Sequence, residues 1–383
     1  MSDFLDRRKF MKETAIKASG LAFFPFLDDK VKVSKVFSSK GKPALTYLEP
    51  RLKFGVISIN HSHIYSMSQA VINGGGELTS FYCIENDLAA VFSKRFPNAK
   101  RVVSSAEILG DASISLILSS AIPNERAGIA IQAMNNGKHV LVDKPGITDM
   151  AQLKKVKEVQ KKTGKIFSIF YSERFENRAT ERASTLVKEG AIGKVIQTLG
   201  TGPHKITPAS RPSWFWDKKY FGGIITDIGS HQVDQFLHFT GSDTATVVAS
   251  QVGNFGNQEH VQFEDFGDLM LKGNNGTGYI RVDWFTPNSL KAFGDGRLTI
   301  LGTDGYIEIR KNIDITRKDN GSHLYLSTQK ETVYIDCSEQ ILPFGPRFVD
   351  DILNGTETAM TQAHCFKTME LAILAQKNAS KIK

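Results

Sequence analysis

Lys144, Asp227 and His231 are the side chains in this sequence whose types best suit proton transfer to and from a bound molecule. Asp227 and His231 are four residues apart, so they share one face if the segment is helical, and Asp234 continues that face. Histidine titrates near neutral pH and can accept a proton. A lysine beside it would lower the cost of negative charge on an oxygen. The alternative interpretation is a helix-face histidine satisfied by a neighbouring carboxylate.

The position of Lys144 is predicted by the pattern before it. The apolar run that precedes it is typical of a buried parallel strand, and Pro145 ends that strand because it has no N–H to donate. Residues 114–120 predict another buried strand, and residues 123–137 predict a helix that ends in glycine. Together they form a βαβ unit with a lysine at the edge where open α/β sheets bind ligands. Asp-Lys-Pro alone would fit a solvated loop equally well.

Two segments of the chain resemble one protein family. Residues 117–145 carry a strand, a Pro-Asn turn, a helix, then Gly-Lys-His-Val and Asp-Lys-Pro. Residues 222–234 read Gly-Gly-Ile-Ile-Thr-Asp-Ile-Gly-Ser-His-Gln-Val-Asp. Both are similar to motifs of the glucose-fructose oxidoreductase, inositol dehydrogenase and rhizopine-catabolism (Gfo/Idh/MocA) family. That family has Glu where this chain has Asp143, a change that conserves the charge. The resemblance extends from about Leu52 to the C-terminus.

The resemblance implies an α/β protein of two domains. Residues 51–170 would form an N-terminal Rossmann-like domain with a doubly wound parallel sheet. Residues 171–383 would form a C-terminal α+β domain, where short strands separated by Asn-Asn-Gly and Thr-Asp-Gly turns themselves predict a large, mostly antiparallel open sheet. In the family such a sheet builds a subunit interface, so a homo-oligomer is expected. The implied reaction moves a hydride between a sugar or polyol hydroxyl and NAD or NADP. The implied catalytic residues are Lys144, His231, as the base, and Asp227.

The expected cofactor site begins where the first strand, over 52–59, ends. A dinucleotide-binding fold would place Gly-x-Gly-x-x-Gly there, but this chain has Gly55 and then Ser-Ile-Asn-His-Ser-His over 58–63, and lacks the second and third glycines. The start of the next helix could still bind phosphate through backbone N–H groups. The alternative is a helix-capping loop without a ligand. The residues expected to bind cofactor are Ser58, Ile59, Asn60, His61, Ser62, Glu85, Ser120, Pro123, Asn124, Asp143 and Lys144.

The choice between NAD and NADP stays open in the sequence. An acidic residue at the end of the second strand would bind the ribose hydroxyls of NAD. By alignment with the family that place falls on Cys83, and Glu85 lies two residues further on. The place therefore carries no Asp, and no Arg lies beside it.

Residues after the last strand of the first domain are expected to contact substrate. Arg174 matches an arginine common in the family, whereas Glu173 stands where a neutral amide is common and would change which substrate groups are accepted. Trp214 belongs to an aromatic-rich loop over 205–220. Such loops stack on sugar faces or form core and dimer contacts, and both alternatives stay open. The expected substrate-binding residues are Glu173, Arg174, Trp214, Asp227 and His231.

Composition argues against several other functions. The net charge is +8, and residues 1–50, with ten Lys/Arg and six Asp/Glu, hold half of it. The rest of the chain has no basic stripe with interleaved aromatics, so nucleic acid is not expected as a partner. The three cysteines are far apart and fit neither a zinc site nor a disulfide framework. No metal is expected, because the spacing of the candidate ligands His260, Glu264, Asp265 and His364 fits no standard site.

Residues 1–27 resemble a twin-arginine export signal. Arg7 and Arg8 precede an apolar stretch over 15–27, which is too short to span a bilayer and is interrupted by a lysine. A periplasmic location is therefore expected, without stable membrane insertion of the mature domain. The alternative is the basic amphipathic start of a cytoplasmic protein. Residues 28–50 are polar and are expected to form a linker or arm.

Two other functions fit the same sequence. A glycoside-cleaving enzyme could use the same site, with the cofactor acting first as oxidant and then as reductant while the bond breaks by elimination. A hydrolysed product without net cofactor change would distinguish it. A non-catalytic nucleotide- or sugar-binding protein, which the missing glycines favour, would bind its ligand without turnover.

Overall fold

The computed structural model of the chain describes residues 49–317 and 319–383. The first large sheet has six parallel strands. They are Leu52–Ile57 (β1), Gly76–Tyr82 (β2), Lys100–Arg101 (β3), Ile114–Ser119 (β4), His139–Asp143 (β5) and Phe167–Phe170 (β6). Their order in the sheet is β3-β2-β1-β4-β5-β6. The predicted doubly wound parallel sheet is confirmed.

Helices connect successive strands of this sheet. They are His63–Asn73 (α1), Asn86–Arg95 (α2), Ser105–Gly110 (α3), Pro123–Asn135 (α4) and Met150–Thr163 (α5). Val140, Leu141 and Val142 of β5 are completely buried, as expected for a strand covered on both faces. Strands β2 and β3 lie on one side of β1, and β4, β5 and β6 lie on the other. The order in which strands are added to the sheet therefore reverses between β1 and β4, which are neighbours. This reversal leaves a crevice at the C-terminal ends of the strands.

The second large sheet has nine strands. They are Val195–Pro203 (β7), Ala245–Gly253 (β8), Phe266–Gly273 (β9), Thr277–Asp283 (β10), Arg297–Gly302 (β11), Gly305–Arg310 (β12), His323–Thr328 (β15), Thr332–Asp336 (β16) and Ser380–Ile382 (β17), while Ile313–Asp314 (β13) and Asp319–Asn320 (β14) form a separate ribbon. The order is β16-β15-β12-β11-β7-β10-β9-β8-β17. Neighbours are antiparallel except β7 with β10 and β8 with β17. The predicted mostly antiparallel sheet is confirmed.

One face of this sheet is covered by helix and the other is open. The helices of the C-terminal half are Ser172–Phe175 (α6), Arg178–Lys188 (α7), Lys218–Phe221 (α8), Ser230–Thr240 (α9), Phe344–Asn354 (α10) and Gln362–Asn378 (α11). Helix α9 packs closely on β10, where a Cβ added to Gly278 would lie 2.7 Å from the Phe236 ring. The opposite face exposes Leu199, Met270 and Tyr306.

The last two helices contribute to the core beside the first sheet. Phe344 of α10 stacks on Phe175 with ring centroids 3.9 Å apart, and Phe366 of α11 stacks on Phe167 of β6. All four rings belong to the same buried cluster as β1, β4 and β5. The end of the chain therefore stabilises the first sheet as well as the second.

The predicted export signal and residues 28–48 of the predicted linker lie outside the described residues. Within the described part of the chain, no helix has the length and apolar character needed to cross a bilayer.

Candidate active site

Lys144 lies directly after β5, in the crevice at the C-terminal edge of the first sheet. Its side chain is buried, and its Nζ donates a hydrogen bond to Oδ1 of Asp227 at 2.9 Å. The peptide bond between Lys144 and Pro145 is cis. Burial alone would raise the pKa of the Asp227 carboxyl, but the positive charge of Lys144 lowers it. A charged pair therefore joins the first sheet to the segment that precedes α9.

Asp227 and His231 lie on consecutive turns of different helical type. Residues Ile225–Gly229 form a π-helical turn, and α9 begins at Ser230. The prediction of one regular α-helix is therefore wrong at Asp227, and such wide turns often occur at functional sites. Only 2% of the His231 surface is exposed, and burial lowers its pKa to about 3. Its Nδ1 has no hydrogen-bond partner among the described residues.

Asp143 organises the residues around it. Its completely buried carboxylate accepts hydrogen bonds from Nδ1 of His61 at 2.7 Å and Nδ1 of His63 at 2.8 Å. The guanidinium of Arg126 lies 3.1 Å away. Burial alone would raise the pKa of Asp143, but the nearby positive charges hold it well below its usual range. These three partners surround the Asp143 carboxylate, and its contact with the cofactor stays a prediction.

His61, His63 and Asp143 lie close enough together for their ligand atoms to hold a metal ion. However, Arg126 already balances the charge of Asp143, and both imidazoles already bond to it. We therefore interpret the cluster as a hydrogen-bonded network. The candidate ligands named from the sequence have separate partners: Glu264 binds Lys218, His364 binds Asp234, Asp265 accepts backbone N–H groups and His260 stacks on Trp216.

The loop after β1 has a left-handed backbone turn of the kind found in glycine-rich loops, although a serine stands at the turn. Ser58 has a φ of 63°, in the left-handed region that favours glycine. Ser120 fixes the loop, since its N–H donates to the Ser58 carbonyl at 3.1 Å and its hydroxyl to the His61 carbonyl at 2.9 Å. Ser62 forms no side-chain cap on α1. The N–H groups of Ile64 and Tyr65 instead make long hydrogen bonds to the carbonyls of His61 and Ser62, at 3.3 and 3.2 Å. An anionic group such as a phosphate at this helix start would compete with these bonds.

The surrounding residues fit a dinucleotide. Oδ1 of Asn124, which follows Pro123 at the start of α4, is buried without a hydrogen-bond partner among the described residues, and a ligand could satisfy it. Glu85, just beyond β2, accepts a hydrogen bond from Asn60 at 2.7 Å, which places a carboxylate near the expected ribose position. The side chain of Ile59 packs in the core, which leaves its backbone as the part that a cofactor could contact, and that contact stays a prediction.

A cleft of about 470 Å³ lies beside this loop. Its wall contains three histidines, His63, His204 and His231, together with Glu173 and Lys311. The carboxylate of Glu173 is bound by the Lys311 ammonium and by a glutamine amide of α9. Burial alone would raise the pKa of Glu173, but the charge of Lys311 holds it well below its usual range. Glu173 thus lies where a substrate could reach it, as a member of an ion pair.

Arg174 and Trp214 both contact other side chains of the second domain. Arg174 directs Nε and Nη2 at the two carboxylate oxygens of Asp234, at 2.6 and 2.7 Å, and His364 bonds to the same carboxylate at 2.7 Å. The guanidinium of Arg174 is thus held by the buried Asp234, and its contact with substrate stays a prediction. Trp214 is half-buried and packs against the aromatic cluster around Phe215, which favours the core-contact alternative.

Three side chains of the cleft wall were not predicted from the sequence as site residues. His63 belongs to the Ser-Ile-Asn-His-Ser-His segment that replaces the glycine-rich motif, and that replacement was the available signal. His204 and Lys311 directly follow β7 and β12 and belong to no motif. Only strand pairing in the second sheet brings them to the same cleft.

Two family profiles match the chain. Residues 55–171 match the oxidoreductase family with the NAD-binding Rossmann fold, and residues 180–308 match the GFO/IDH/MocA C-terminal domain. The first match contains the loop after β1 and Lys144, and the second contains Asp227 and His231. The first domain is an NAD-binding Rossmann domain.

Several known proteins are similar to this chain. A solved structure from Erwinia carotovora atroseptica, assigned as an oxidoreductase, is 43% identical, with a TM-score of 0.84 over 87% of this chain and 100% of that chain. Levoglucosan dehydrogenase in complex with NADH and levoglucosan shares the fold, with a TM-score of 0.72 at 19% identity over 86% of this chain and 98% of that chain.

Curated relatives match over shorter stretches. The scyllo-inositol 2-dehydrogenase (NADP+) of Bacillus subtilis is 28% identical over 45% of this chain and 49% of its own length. The chain spans about half the length of the first curated relatives it matches.

Proposed function

Because this chain belongs to the Gfo/Idh/MocA family of oxidoreductases, we propose that it transfers a hydride between a hydroxyl-bearing carbon of a sugar or polyol and NAD or NADP. The observation that carries the proposal is the buried hydrogen bond between Lys144 and Asp227, which joins the C-terminal edge of the first sheet to the helical segment that continues to His231. Scyllo-inositol and levoglucosan, named for two relatives, are polyhydroxy compounds of this class.

Lys144 and His231 act together on the reacting oxygen. When bound, the nicotinamide ring accepts or supplies the hydride. The Lys144 ammonium donates a hydrogen bond to the substrate oxygen and stabilises the charge that develops as its proton leaves. Asp227 holds that ammonium in place. Burial of the pair limits screening by water, so its effect on the transition state is larger than it would be at the surface.

Binding and turnover test this function separately. Titration of NAD and NADP, oxidised and reduced, against intrinsic fluorescence should saturate for at least one nucleotide. A panel of inositols, anhydrosugars and aldoses should then include a compound that reduces the nucleotide. Failure to bind either nucleotide at millimolar concentration would contradict the function. Binding without reduction by any compound would instead favour a non-catalytic binding protein.

We also propose that the open face of the second sheet forms a homo-oligomeric interface. The exposed apolar side chains on this face support it, since a monomeric soluble protein rarely exposes a large apolar patch.

Export through the twin-arginine pathway is a separate proposal, supported by Arg7 and Arg8 ahead of the apolar stretch. Replacement of both arginines by lysine should retain the protein in the cytoplasm, and unchanged periplasmic recovery would contradict export.

A further inference from the structure

Arg211 is a partly buried cation in the loop between β7 and α8, and the site described above does not use it. Its guanidinium carbon lies 4.4 Å from the ring centroid of Phe215 and 4.9 Å from that of Trp284, so two aromatic rings hold it. Among the described residues, the guanidinium has no hydrogen-bond or ion-pair partner, although its Nε is buried. A buried N–H group without a partner carries a desolvation cost, which a ligand would remove.

The same loop places Arg211 beside the wall of the cleft. Phe293 lines the cleft, and its ring centroid lies 6.0 Å from the guanidinium carbon of Arg211 and 5.1 Å from the ring of His204. Burial lowers the pKa of Arg211, and the negative charge of Asp227 opposes that shift. Arg211 therefore lies near both the cleft and the carboxylate that holds Lys144.

Two lysines on this side of the cleft also lack a carboxylate partner among the described residues. The backbone N–H of Lys205 donates to the carbonyl of Phe293 at 2.6 Å, and its Nζ donates to the carbonyl of Leu290 at 2.7 Å. Lys291 is exposed and lines the cleft. Together with Arg211, three positive charges lie around the loop that carries Phe293.

The carboxylates of the cleft do not balance these charges. Glu173 pairs with Lys311, and Asp227 pairs with Lys144. Glu176 also lines the cleft, but burial raises its pKa and so opposes its ionisation. The excess of positive charge favours a bound anion.

We propose that Arg211 binds an anionic group, a carboxylate or a phosphate, on the sugar or polyol that this protein oxidises. This inference rests on the proposed hydride transfer and names its substrate class as acidic or phosphorylated sugars. A guanidinium binds two oxygens of such a group through parallel N–H donors, as Arg174 binds Asp234 at 2.6 and 2.7 Å. The rings of Phe215 and Trp284 fix the guanidinium in advance, so little side-chain freedom is lost on binding.

The alternative is that Arg211 serves only to pack the aromatic cluster. Arg211→Met separates the two roles, because methionine still packs on the rings but carries neither charge nor N–H groups. Arg211→Lys keeps the charge without the planar arrangement of donors. Arg95→Met is the matched control, because the guanidinium carbon of Arg95 lies 5.9 Å from the ring centroid of Phe96, at an exposed position of α2.

The experiment measures binding by calorimetry in the presence of saturating NAD or NADP, whichever binds more tightly. The probes are matched pairs: D-glucuronate with D-glucose, D-galacturonate with D-galactose, and D-glucose 6-phosphate with D-glucose. The acidic member of at least one pair should bind on the order of 10- to 100-fold more tightly than the neutral member. The uronate and phosphate pairs show which anion Arg211 accepts.

The ratio of the two affinities within a pair is the quantity that identifies the role of Arg211. Arg211→Met should bring this ratio to within a few-fold of one, Arg211→Lys should keep part of it, and Arg95→Met should leave it unchanged. A purely structural role would weaken both members of a pair and leave their ratio as it is. A ratio that Arg211→Met retains, or no preference for the acidic member of any pair, would overturn the proposal.

This inference and the proposed hydride transfer fail through different results. Binding does not require turnover, so a preference that depends on Arg211 in a protein that reduces no nucleotide would contradict the hydride transfer and leave Arg211 as an anion-binding residue. Oxidation of neutral compounds without a preference for acidic probes would support the hydride transfer and overturn the role of Arg211.

Discussion

Ser58 has a backbone conformation that residues with a Cβ rarely adopt, and the shape of the loop after β1 depends on it. Its φ of 63° costs about 1–2 kcal/mol in a residue other than glycine. A β-branched residue tolerates this conformation less well still. Ser58→Val should therefore lower the free energy of unfolding by at least about 1 kcal/mol and weaken nucleotide binding.

Ser58→Gly is the comparison variant, because glycine adopts this φ without strain. It should bind nucleotide at least as tightly as the wild-type protein. Denaturant unfolding and nucleotide titration measure both effects. A valine variant as stable as the wild type would contradict the assigned role of this conformation.

Lys144 and His231 form one functional unit in this account. Lys144→Ala and His231→Ala should each lose most turnover while they still bind nucleotide, because their contribution grows in the transition state. The double variant should lose much less than the product of the two single losses. Asp227→Asn should be milder, since Asp227 acts by holding Lys144. Single-turnover rates measure this series, and strictly multiplicative losses would contradict it.

Single site residues could be predicted from the sequence where they belong to a motif, and could not where they belong to none. Lys144 was predicted from one local motif and Asp227 and His231 from another, and the structure brings Lys144 and Asp227 together. Lys311 reaches the cleft only through pairing in the second sheet, which no local pattern encodes. The pair of Arg174 with Asp234 could not be predicted, because sequence cannot show that a buried carboxylate lies within bonding distance.

The ion pair between Arg174 and Asp234 connects α6 with α9, the helix that carries His231. Burial alone would raise the pKa of Asp234, but the charge of Arg174 and the hydrogen bond from His364 hold it well below its usual range. Because the folded-state pKa is lowered, the contribution of Asp234 to stability is fully present above its unfolded-state pKa. That contribution is lost as the pH falls toward the folded-state pKa.

We therefore expect acid to destabilise the wild-type protein more steeply than Asp234→Asn between about pH 5 and pH 2. The variant should be less stable at neutral pH, because it leaves the buried Arg174 without its counter-charge. The measurement is the free energy of unfolding as a function of pH for both proteins. Parallel pH profiles would show that Asp234 does not contribute in this way.

Element types could be predicted where one periodicity holds throughout a segment. A helix was predicted over residues 123–137, and helix α4 spans Pro123–Asn135, with Gly137 just beyond its end. The π-helical turn Ile225–Gly229 could not be predicted in this way, because the four-residue spacing of Asp227 and His231 was read as that of a regular α-helix. The packing of α10 and α11 beside the first sheet depends on tertiary contacts that arise late in the chain.

The open face of the second sheet determines how the whole molecule is expected to assemble. Leu199 of β7 lies opposite Tyr279 of β10, which lies opposite Met270 of β9, so these side chains form one row across the sheet. Met270→Lys should shift the protein from oligomer to monomer in light scattering, because it places a charge in an apolar interface.

The substitution should leave the fold intact, since Met270 is 48% exposed in the single chain. Lys154→Ala, at an exposed position of α5 and outside this sheet, is a suitable control. A wild-type protein that is monomeric at micromolar concentration would contradict assembly through this face.

The central claim is that the cleft between the dinucleotide loop and the second sheet supports direct hydride transfer. The most direct measurement uses a substrate deuterated at the carbon that bears the reacting hydroxyl, with mass spectrometry of the reduced nucleotide. The wild-type protein should transfer one deuterium from each substrate molecule to the nicotinamide, and Lys144→Ala should transfer almost none. Reduced nucleotide without deuterium, or equal transfer by the Lys144 variant, would contradict the account.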